Sequence, residues 1–140
     1  MTEVHRFQIR VYYEDTDVGG MVYYANYLRY AERARTELLR AAGFSHAEMA
    51  ERHDTFFAVS RCEIDYLRPA RFDDLLTIET RVADVGAAVI NLEQRVLRDE
   101  QLLTRIAIRI VCLNRQGRPL RMADPLRETL SAYRISKELV

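Results

Sequence analysis

Cysteine and histidine, the residues that most often form disulfides and metal sites, are scarce in this sequence. Its 140 residues include two cysteines, Cys62 and Cys112, with no second cysteine close to either one. That spacing excludes a redox Cys-x-x-Cys pair and a zinc knuckle, and we expect two buried thiols in a reducing compartment. The three histidines, His5, His46 and His53, have no spacing that would bring two onto one face of a helix or strand, so no metal site is predicted.

The sequence patterns that hold nucleotide cofactors or activate a serine are also missing. No Gly-x-Gly-x-x-Gly or P-loop pattern occurs, so cofactors bound by such loops are not expected. None of the serines lies in a Gly-x-Ser-x-Gly elbow, which argues against a serine hydrolase of that type. We therefore expect a protein that works without a cofactor.

The chain has no excess of either charge and no long apolar run. Lysine plus arginine and aspartate plus glutamate each number 21, and the isoelectric point is near 6.8. Nucleic-acid-binding domains usually carry a clear basic excess, so nucleic acid is not an expected partner. No stretch approaches 18 apolar residues, and the first ten residues contain no apolar signal core. These features predict a cytoplasmic protein that does not insert into a membrane.

What the chain does have is the composition of an ordinary folded domain. Hydrophobic residues make up 49% of it and charged residues 30%. A chain of this length buries roughly 68% of its unfolded surface, enough for a core that needs no disulfide or metal. We predict one domain over residues 1–140.

Apolar periodicity predicts the elements of the first half of the chain. Apolar and polar residues alternate over 4–13, which predicts a strand. Residues 14–23 follow neither the two-residue period of a strand nor the three-to-four-residue period of a helix, which predicts a loop. A long helix is predicted over 25–42, followed by Gly43 as the residue after its end. Ser45 and Glu48 have capping-box spacing and predict a short helix over 45–52. The apolar stripe of the long helix comprises Tyr27, Leu28, Ala31, Ala34, Leu38, Leu39 and Ala42.

Strands dominate the second half. Alternation predicts strands over 55–67, 76–82, 88–96 and 106–112, and a last helix over 126–133 with Asp124 as its N-cap. Consecutive strands with short turns are antiparallel, and the stripe of the long helix needs a sheet to cover it. The sequence thus predicts an α+β fold, a curved five-stranded antiparallel sheet wrapped around one long helix. The free sheet edges predict a homodimer or homotetramer.

The loop before the long helix is richer in chemical groups than a connection requires. It holds Asp15, Asp17 and the pair Gly19-Gly20, and half of the eight tyrosines lie between positions 23 and 30. A purely structural interpretation stays open, with the aspartates in turns or solvent and the tyrosines as core residues with a polar tip. A functional interpretation rests on the helix start, where unpaired amide N–H groups favour negative charge. Those amides could polarise a thioester carbonyl while Asp17 attacks it or deprotonates a water.

Longer runs of the sequence resemble a known family. The run VYYEDTDVGGMVYYANYLRYAERARTELLR is similar to the signature of the Tol-Pal-associated acyl-CoA thioesterase family. That family is a branch of the 4-hydroxybenzoyl-CoA thioesterase-like proteins, which have the hotdog fold. The resemblance continues through DYLRPARFDDLL and IRIVCLN to DPLRETL, over about residues 6 to 131. It implies a hotdog enzyme that hydrolyses acyl-CoA thioesters.

The resemblance also implies roles for individual residues. Asp17 matches the catalytic carboxylate, as nucleophile or general base, and Tyr13 matches a tyrosine held near it. Seven positions after the aspartate the Tol-Pal-associated branch commonly has histidine, whereas this chain has Tyr24, as in the hydroxybenzoyl-CoA branch. There the backbone N–H of the tyrosine polarises the carbonyl. For substrate binding we assign Gly20 and Val22 of the loop and, for the CoA phosphates, Arg68 and Arg71.

The sequence leaves two alternatives to a thioesterase. A hotdog dehydratase or isomerase usually relies on a histidine near the loop or helix, and none stands between Arg6 and Ser45. A non-catalytic scaffold that binds acyl thioesters or an acyl carrier protein would keep the pocket and lose the hydrolysis. Release of free thiol from acyl-CoA distinguishes the scaffold from the enzyme.

Overall fold

The computed structural model describes residues 4–134, in which one antiparallel sheet carries a long helix on one face. Its helices are α1 (Asn26–Ala41), α2 (His46–His53) and α3 (Asp124–Ser131). Its strands are β1 (His5–Arg10), β2 (Phe56–Tyr66), β3 (Leu75–Val85), β4 (Val89–Arg98) and β5 (Gln101–Leu113). The order across the sheet is β1-β3-β4-β5-β2, and every neighbouring pair is antiparallel. The predicted α+β hotdog architecture is confirmed.

The core lies between α1 and the concave face of the sheet. Alternate residues of β3, β4 and β5 are buried there, in the period of two expected for strands with one covered face. From α1, the side chains of Tyr30, Ala31 and Ala34 are fully buried against them. Gly43 has φ +91°, a left-handed conformation that glycine adopts without strain. It follows the end of α1, as the sequence predicts.

One buried polar side chain connects α1 to the middle of the sheet. Gln94 of β4 has no exposed surface, and its Nε2 donates to the carbonyl of Ala31 and to the hydroxyl of Thr80, both at 3.0 Å. Its Oε1 accepts from Arg35 at 3.0 Å. Because a buried amide without partners would be costly, these bonds favour one rotation and height of α1 on the sheet.

Several local predictions are wrong for identifiable reasons. The first strand ends at Arg10 instead of position 13, because Tyr13–Asp15 form a 3₁₀ turn. Asp124 is not the N-cap of α3 but lies inside it, after Ala123. Cys62 is exposed, since β2 is an edge strand, whereas Cys112 is buried as expected.

The apolar stripe of α1 also differs from the prediction by one side chain. Leu28 is 41% exposed, and Tyr30 is fully buried in its stead. The face that meets the sheet follows Tyr27, Tyr30 and Ala34, and Leu28 falls about 100° away from Tyr27 around the helix. Among residues 4–134, no helix has the length and apolar character needed to cross a membrane.

Candidate active site

The loop between β1 and α1 forms a tight hairpin around Asp17. The Asp17 N–H donates to the Met21 carbonyl at 2.8 Å, and the Gly20 N–H donates to the Asp17 carbonyl at 3.0 Å. Gly20 closes this turn with φ +79°, a conformation that other residues adopt only with strain. The hairpin is docked on the chain after β2, where the Val22 N–H donates to the Ala70 carbonyl at 2.8 Å.

The Asp17 carboxylate is exposed and held by two backbone amides. Its Oδ1 accepts from the Gly19 N–H at 3.0 Å and from the Met21 N–H at 3.2 Å. Among residues 4–134 no donor engages its Oδ2. A Cβ at position 19 would lie 3.4 Å from Oδ1, in van der Waals contact with the carboxylate. One oxygen of the carboxylate is thus held by the backbone, and within this part of the chain the other accepts no hydrogen bond.

Asp15 has a structural role in the same loop. Its Oδ2 accepts from the Tyr12 N–H at 2.9 Å, and its carbonyl accepts from the Tyr23 N–H at 2.9 Å. The buried side chain of Asn26 donates a further bond to that carbonyl at 2.8 Å. These contacts agree with its assignment to turn formation. Sequence reasoning missed Asn26, although a polar residue within the first turn of an apolar helix stripe was a signal.

The start of α1 supplies unpaired amide groups. The helix begins at Asn26 with Ala25 as its N-cap, so no side chain caps it. The Asn26 N–H donates to the Tyr23 carbonyl at 2.8 Å, which makes residues 23–26 a turn leading into the helix. Within residues 4–134, no acceptor engages the N–H groups of Tyr24 and Ala25. Such groups at a helix N-terminus attract negative charge.

Asp17 and the helix start share one open groove of about 480 Å³. The structure brings four of the seven predicted site residues to its walls: Asp17, Val22, Tyr24 and Arg68. The other lining residues are Met21, Tyr23, Tyr27, Tyr66, Leu67 and Pro69. Of these the sequence analysis did not single out Tyr66 and Leu67; a tyrosine at the end of a strand, directly before the Arg-Pro-Ala-Arg corner, was the available signal.

Three predicted residues do not line the groove. Tyr13 is 80% exposed, and its ring packs edge-on against Phe72 at 5.9 Å between centroids. Gly20 shapes the hairpin from behind, where its carbonyl accepts from the Phe72 N–H at 3.1 Å. Arg71 is exposed at the Arg-Pro-Ala-Arg corner and forms a β-bridge with Met21.

Three tyrosines of the groove have a pKa above the ordinary value for tyrosine. Burial raises the pKa of Tyr27 and of Tyr66, and a hydrogen bond with Tyr24 raises the pKa of Tyr23. Asp17 and Arg68 are therefore the charged side chains on the groove walls. This arrangement can place a carboxylate oxygen beside a carbonyl that accepts from the helix start.

Tyr27 connects the helix start to the Arg-Pro-Ala-Arg corner. Its hydroxyl accepts from the buried Ala70 N–H at 3.0 Å. Tyr27→Phe leaves that N–H without a partner and should lower the free energy of unfolding by about 1–3 kcal/mol. Urea denaturation followed by circular dichroism measures the change. Tyr133→Phe is the matched control, since that ring packs against His5 outside the groove; equal stability losses in both variants would contradict the role of the Ala70 bond.

A second cavity, of about 380 Å³, lies between α1 and β2. Its walls are mostly apolar, with Leu39, Phe57 and Val59 among them, and Arg35 and His46 at its polar side. Asp17 does not line it. The candidate catalytic carboxylate therefore lies at the groove by the helix start. The second cavity is a space between α1 and the sheet that side chains leave unfilled.

A family model for the thioesterase-like superfamily matches residues 11–132 of the chain. The chain is 44% identical over 108 residues to an acyl-CoA thioesterase YbgC of Haemophilus influenzae, an alignment that covers 77% of this chain and 79% of the relative. It is 42% identical over 123 residues to an acyl-CoA thioester hydrolase YbgC of Escherichia coli O6:H1, with 86% and 87% covered.

The same similarity is seen among solved structures. A probable thioesterase from Bartonella henselae is 40% identical and superimposes with a TM-score of 0.84, covering 86% of this chain and all of that one. The matched family model spans the hairpin of Asp17, the start of α1 and the end of β2.

Proposed function

We propose that Asp17 carries out the hydrolysis in this chain, which belongs to the thioesterase-like superfamily and is an acyl-CoA thioester hydrolase. The observation that carries the proposal is the shared groove, whose lining includes both Asp17, with its free Oδ2, and Tyr24, with its unpaired N–H. The substrate thioester enters with its carbonyl oxygen toward the start of α1 and its carbonyl carbon toward Asp17. Products are the free acid and CoA.

Asp17 can act in two ways at this position. As nucleophile, its Oδ2 adds to the carbonyl carbon, the C–S bond breaks, CoA leaves as thiolate, and water hydrolyses the resulting anhydride. As general base, it takes a proton from a water whose oxygen adds to the carbonyl, and the departing CoA sulfur finally takes up a proton. In both routes the carbonyl oxygen becomes an oxyanion, which the Tyr24 amide and the positive end of α1 stabilise.

In this scheme Tyr24 acts through its backbone N–H. Its side chain is 61% exposed and packs on the Tyr23 ring, with centroids 4.8 Å apart, while its N–H is unpaired. A phenol is a poorer acid or base near neutral pH than the histidine that the resemblance implies at this position, but the backbone amide is the same for either residue. Val22, on the same wall, would contact the acyl group.

For the CoA phosphates we propose Arg68 and Arg71. Both are exposed, and within residues 4–134 neither guanidinium has a carboxylate within 4.0 Å, whereas the nearby Arg98 is paired with Asp74 at 2.8 Å. The Arg68 guanidinium donates to the Leu102 carbonyl at 3.5 Å. Exposed guanidinium groups without a carboxylate partner suit phosphate oxygens.

Replacing both arginines should weaken binding of the nucleotide end alone. Arg68→Ala combined with Arg71→Ala should raise KM for acyl-CoA by roughly tenfold with little change in kcat, because two charge-assisted contacts are lost. Steady-state kinetics at low ionic strength measure this. A thioester of pantetheine, which lacks the nucleotide phosphates, should keep its KM. Arg115→Ala, which removes one exposed arginine far along the chain and beside Asp54, serves as a control and should leave KM unchanged. A raised KM for both substrates in the double variant would contradict the assignment.

We also propose that the chain forms a homodimer, or a homotetramer built from such dimers, through β2. This strand pairs with β5 on one side, and most of its eleven residues are exposed. Val59 on it is 50% exposed, and Leu28 of α1, also apolar, is 41% exposed. An open edge beside uncovered apolar side chains favours pairing with a second copy.

The two unpaired thiols bear on where the enzyme works. Neither Cys62 nor Cys112 forms a disulfide within the chain, and free thiols persist in a reducing compartment. We therefore propose a cytoplasmic location.

The second candidate function is a scaffold that binds acyl thioesters or an acyl carrier protein without hydrolysis. Its support is the open shape of the groove, which leaves room for a carrier-borne acyl chain. A panel of acyl-CoAs from acetyl to palmitoyl, plus hydroxybenzoyl-CoA, tests both functions with a thiol reagent. Thiol release from a member of the panel supports the hydrolase and identifies the acyl preference. Binding of a member without release would support the scaffold.

A further inference from the structure

Tyr66, the last residue of β2, reaches across the groove to the start of α1. Its hydroxyl donates to the Tyr24 carbonyl at 3.0 Å, a contact between residues 42 positions apart in the chain. Its ring packs edge-on against Tyr27, with centroids 5.5 Å apart, and against Tyr24 at 6.4 Å. The ring alone is thus enough to fill the space, and the hydrogen bond is a separate feature of this side chain.

The acceptor of that bond lies at a sensitive point of the backbone. The Tyr24 carbonyl and the Ala25 N–H belong to one planar peptide unit and point in opposite directions. Holding the carbonyl on one side therefore fixes the direction of the Ala25 N–H on the other. The preceding unit is held in the same way, since the Tyr23 carbonyl accepts from the Asn26 N–H at 2.8 Å and thereby fixes the Tyr24 N–H.

These two units contain the unpaired amides of the helix start. No side chain caps α1, and Ala25 offers no polar group to restrain its own backbone. The Tyr23–Asn26 bond lies within the turn, whereas the Tyr66 bond comes from a strand of the sheet. Tyr66 therefore connects the Tyr24–Ala25 peptide directly to a strand of the sheet.

We propose that Tyr66 is a positioning residue for the hydrolysis: its hydroxyl holds the Tyr24–Ala25 peptide and, with it, the adjoining peptide that carries the Tyr24 N–H, so that this N–H points at the thioester oxygen. The inference rests on the proposed function, in which the Tyr24 amide stabilises the oxyanion. Donors that are already oriented need no rearrangement when charge develops, so their loss affects the transition state more than substrate binding. Burial raises the pKa of Tyr66, which keeps its hydroxyl protonated as a donor over the working pH range.

Tyr66→Phe tests this by removing the hydroxyl and keeping the ring. We expect kcat to fall roughly five- to twentyfold, the scale of one lost hydrogen bond expressed in a rate. KM for the acyl-CoA and the midpoint of thermal unfolding should stay close to those of the unmodified protein. Tyr66→Leu, which also removes the ring contacts with Tyr24 and Tyr27, should lower both kcat and thermal stability.

Tyr133→Phe is the matched control, because it removes a tyrosine hydroxyl outside the groove and should leave kcat unchanged. An unchanged kcat in Tyr66→Phe would overturn the proposal. A fall in kcat accompanied by a several-fold rise in KM, or by a loss of more than about 5 °C in the unfolding midpoint, would also overturn it, since the hydroxyl would then serve binding or folding. Full activity of Asp17→Asn would instead refute the mechanism on which the inference rests.

Discussion

Asp17→Asn should lower kcat by roughly a hundredfold or more while KM changes little, the scale expected for a lost general base or nucleophile. Asparagine has the same shape and can still accept from the Gly19 and Met21 amides through its side-chain oxygen, so the hairpin should persist. What it lacks is the negative charge of the second oxygen, which no donor within residues 4–134 engages. Thiol release measured on the best substrate of the acyl-CoA panel gives both constants.

Asp15→Asn is the matched control, two residues away in the same loop. Asp15 bonds to the Tyr12 N–H and, through its carbonyl, to Tyr23 and Asn26, and the described contacts place it behind the groove. This substitution should therefore reduce kcat much less than Asp17→Asn and act mainly on stability. Equal losses of kcat in the two variants would remove the assignment of Asp17.

Tyr24→Phe separates the main chain of the helix start from its side chain. The proposed contribution of Tyr24 is its backbone N–H, which phenylalanine retains, so the loss of activity should be mild. A large loss would show that the phenol has taken a catalytic task at the position where the resemblance implies a histidine.

Val59→Asp should convert the protein from a dimer or larger assembly to a monomer. Val59 is half exposed at the free edge of β2, beside the bulge that follows it, and a carboxylate there would have to be buried on association. Light scattering on the unmodified protein at micromolar concentration should give at least twice the 16.4 kDa of one chain, and on the variant 16.4 kDa.

The opposite edge of the sheet provides the control for this experiment. Gln8→Asp introduces the same charge on β1, whose side chain at this position is already exposed, and should leave the mass unchanged. An unmodified protein that runs as a 16.4 kDa monomer would count against the dimer. A loss of mass in the Gln8 variant alone would move the interface to β1.

Local patterns in the sequence were sufficient for the elements and for much of the candidate site. Periods of two and of three to four residues identified all five strands and the long helix, because burial on one face imposes that spacing wherever the element lies in the fold. The acidic hairpin was recognisable because Asp17 and its glycines stand together in the chain. Their hydrogen bonds span only two to four residues, so the sequence by itself determines this part of the site.

Contacts between distant segments were decided by the tertiary structure alone. The order β1-β3-β4-β5-β2 places β2 at an edge, which leaves Cys62 exposed where sequence reasoning buried it. Tyr66 meets the Tyr24 carbonyl across 42 residues, and Arg68 but not Arg71 faces the groove, although both belong to one short corner. Sequence spacing encodes which face of an element is apolar. It does not encode which element lies opposite, because that choice depends on how the helix and all five strands bury their faces together.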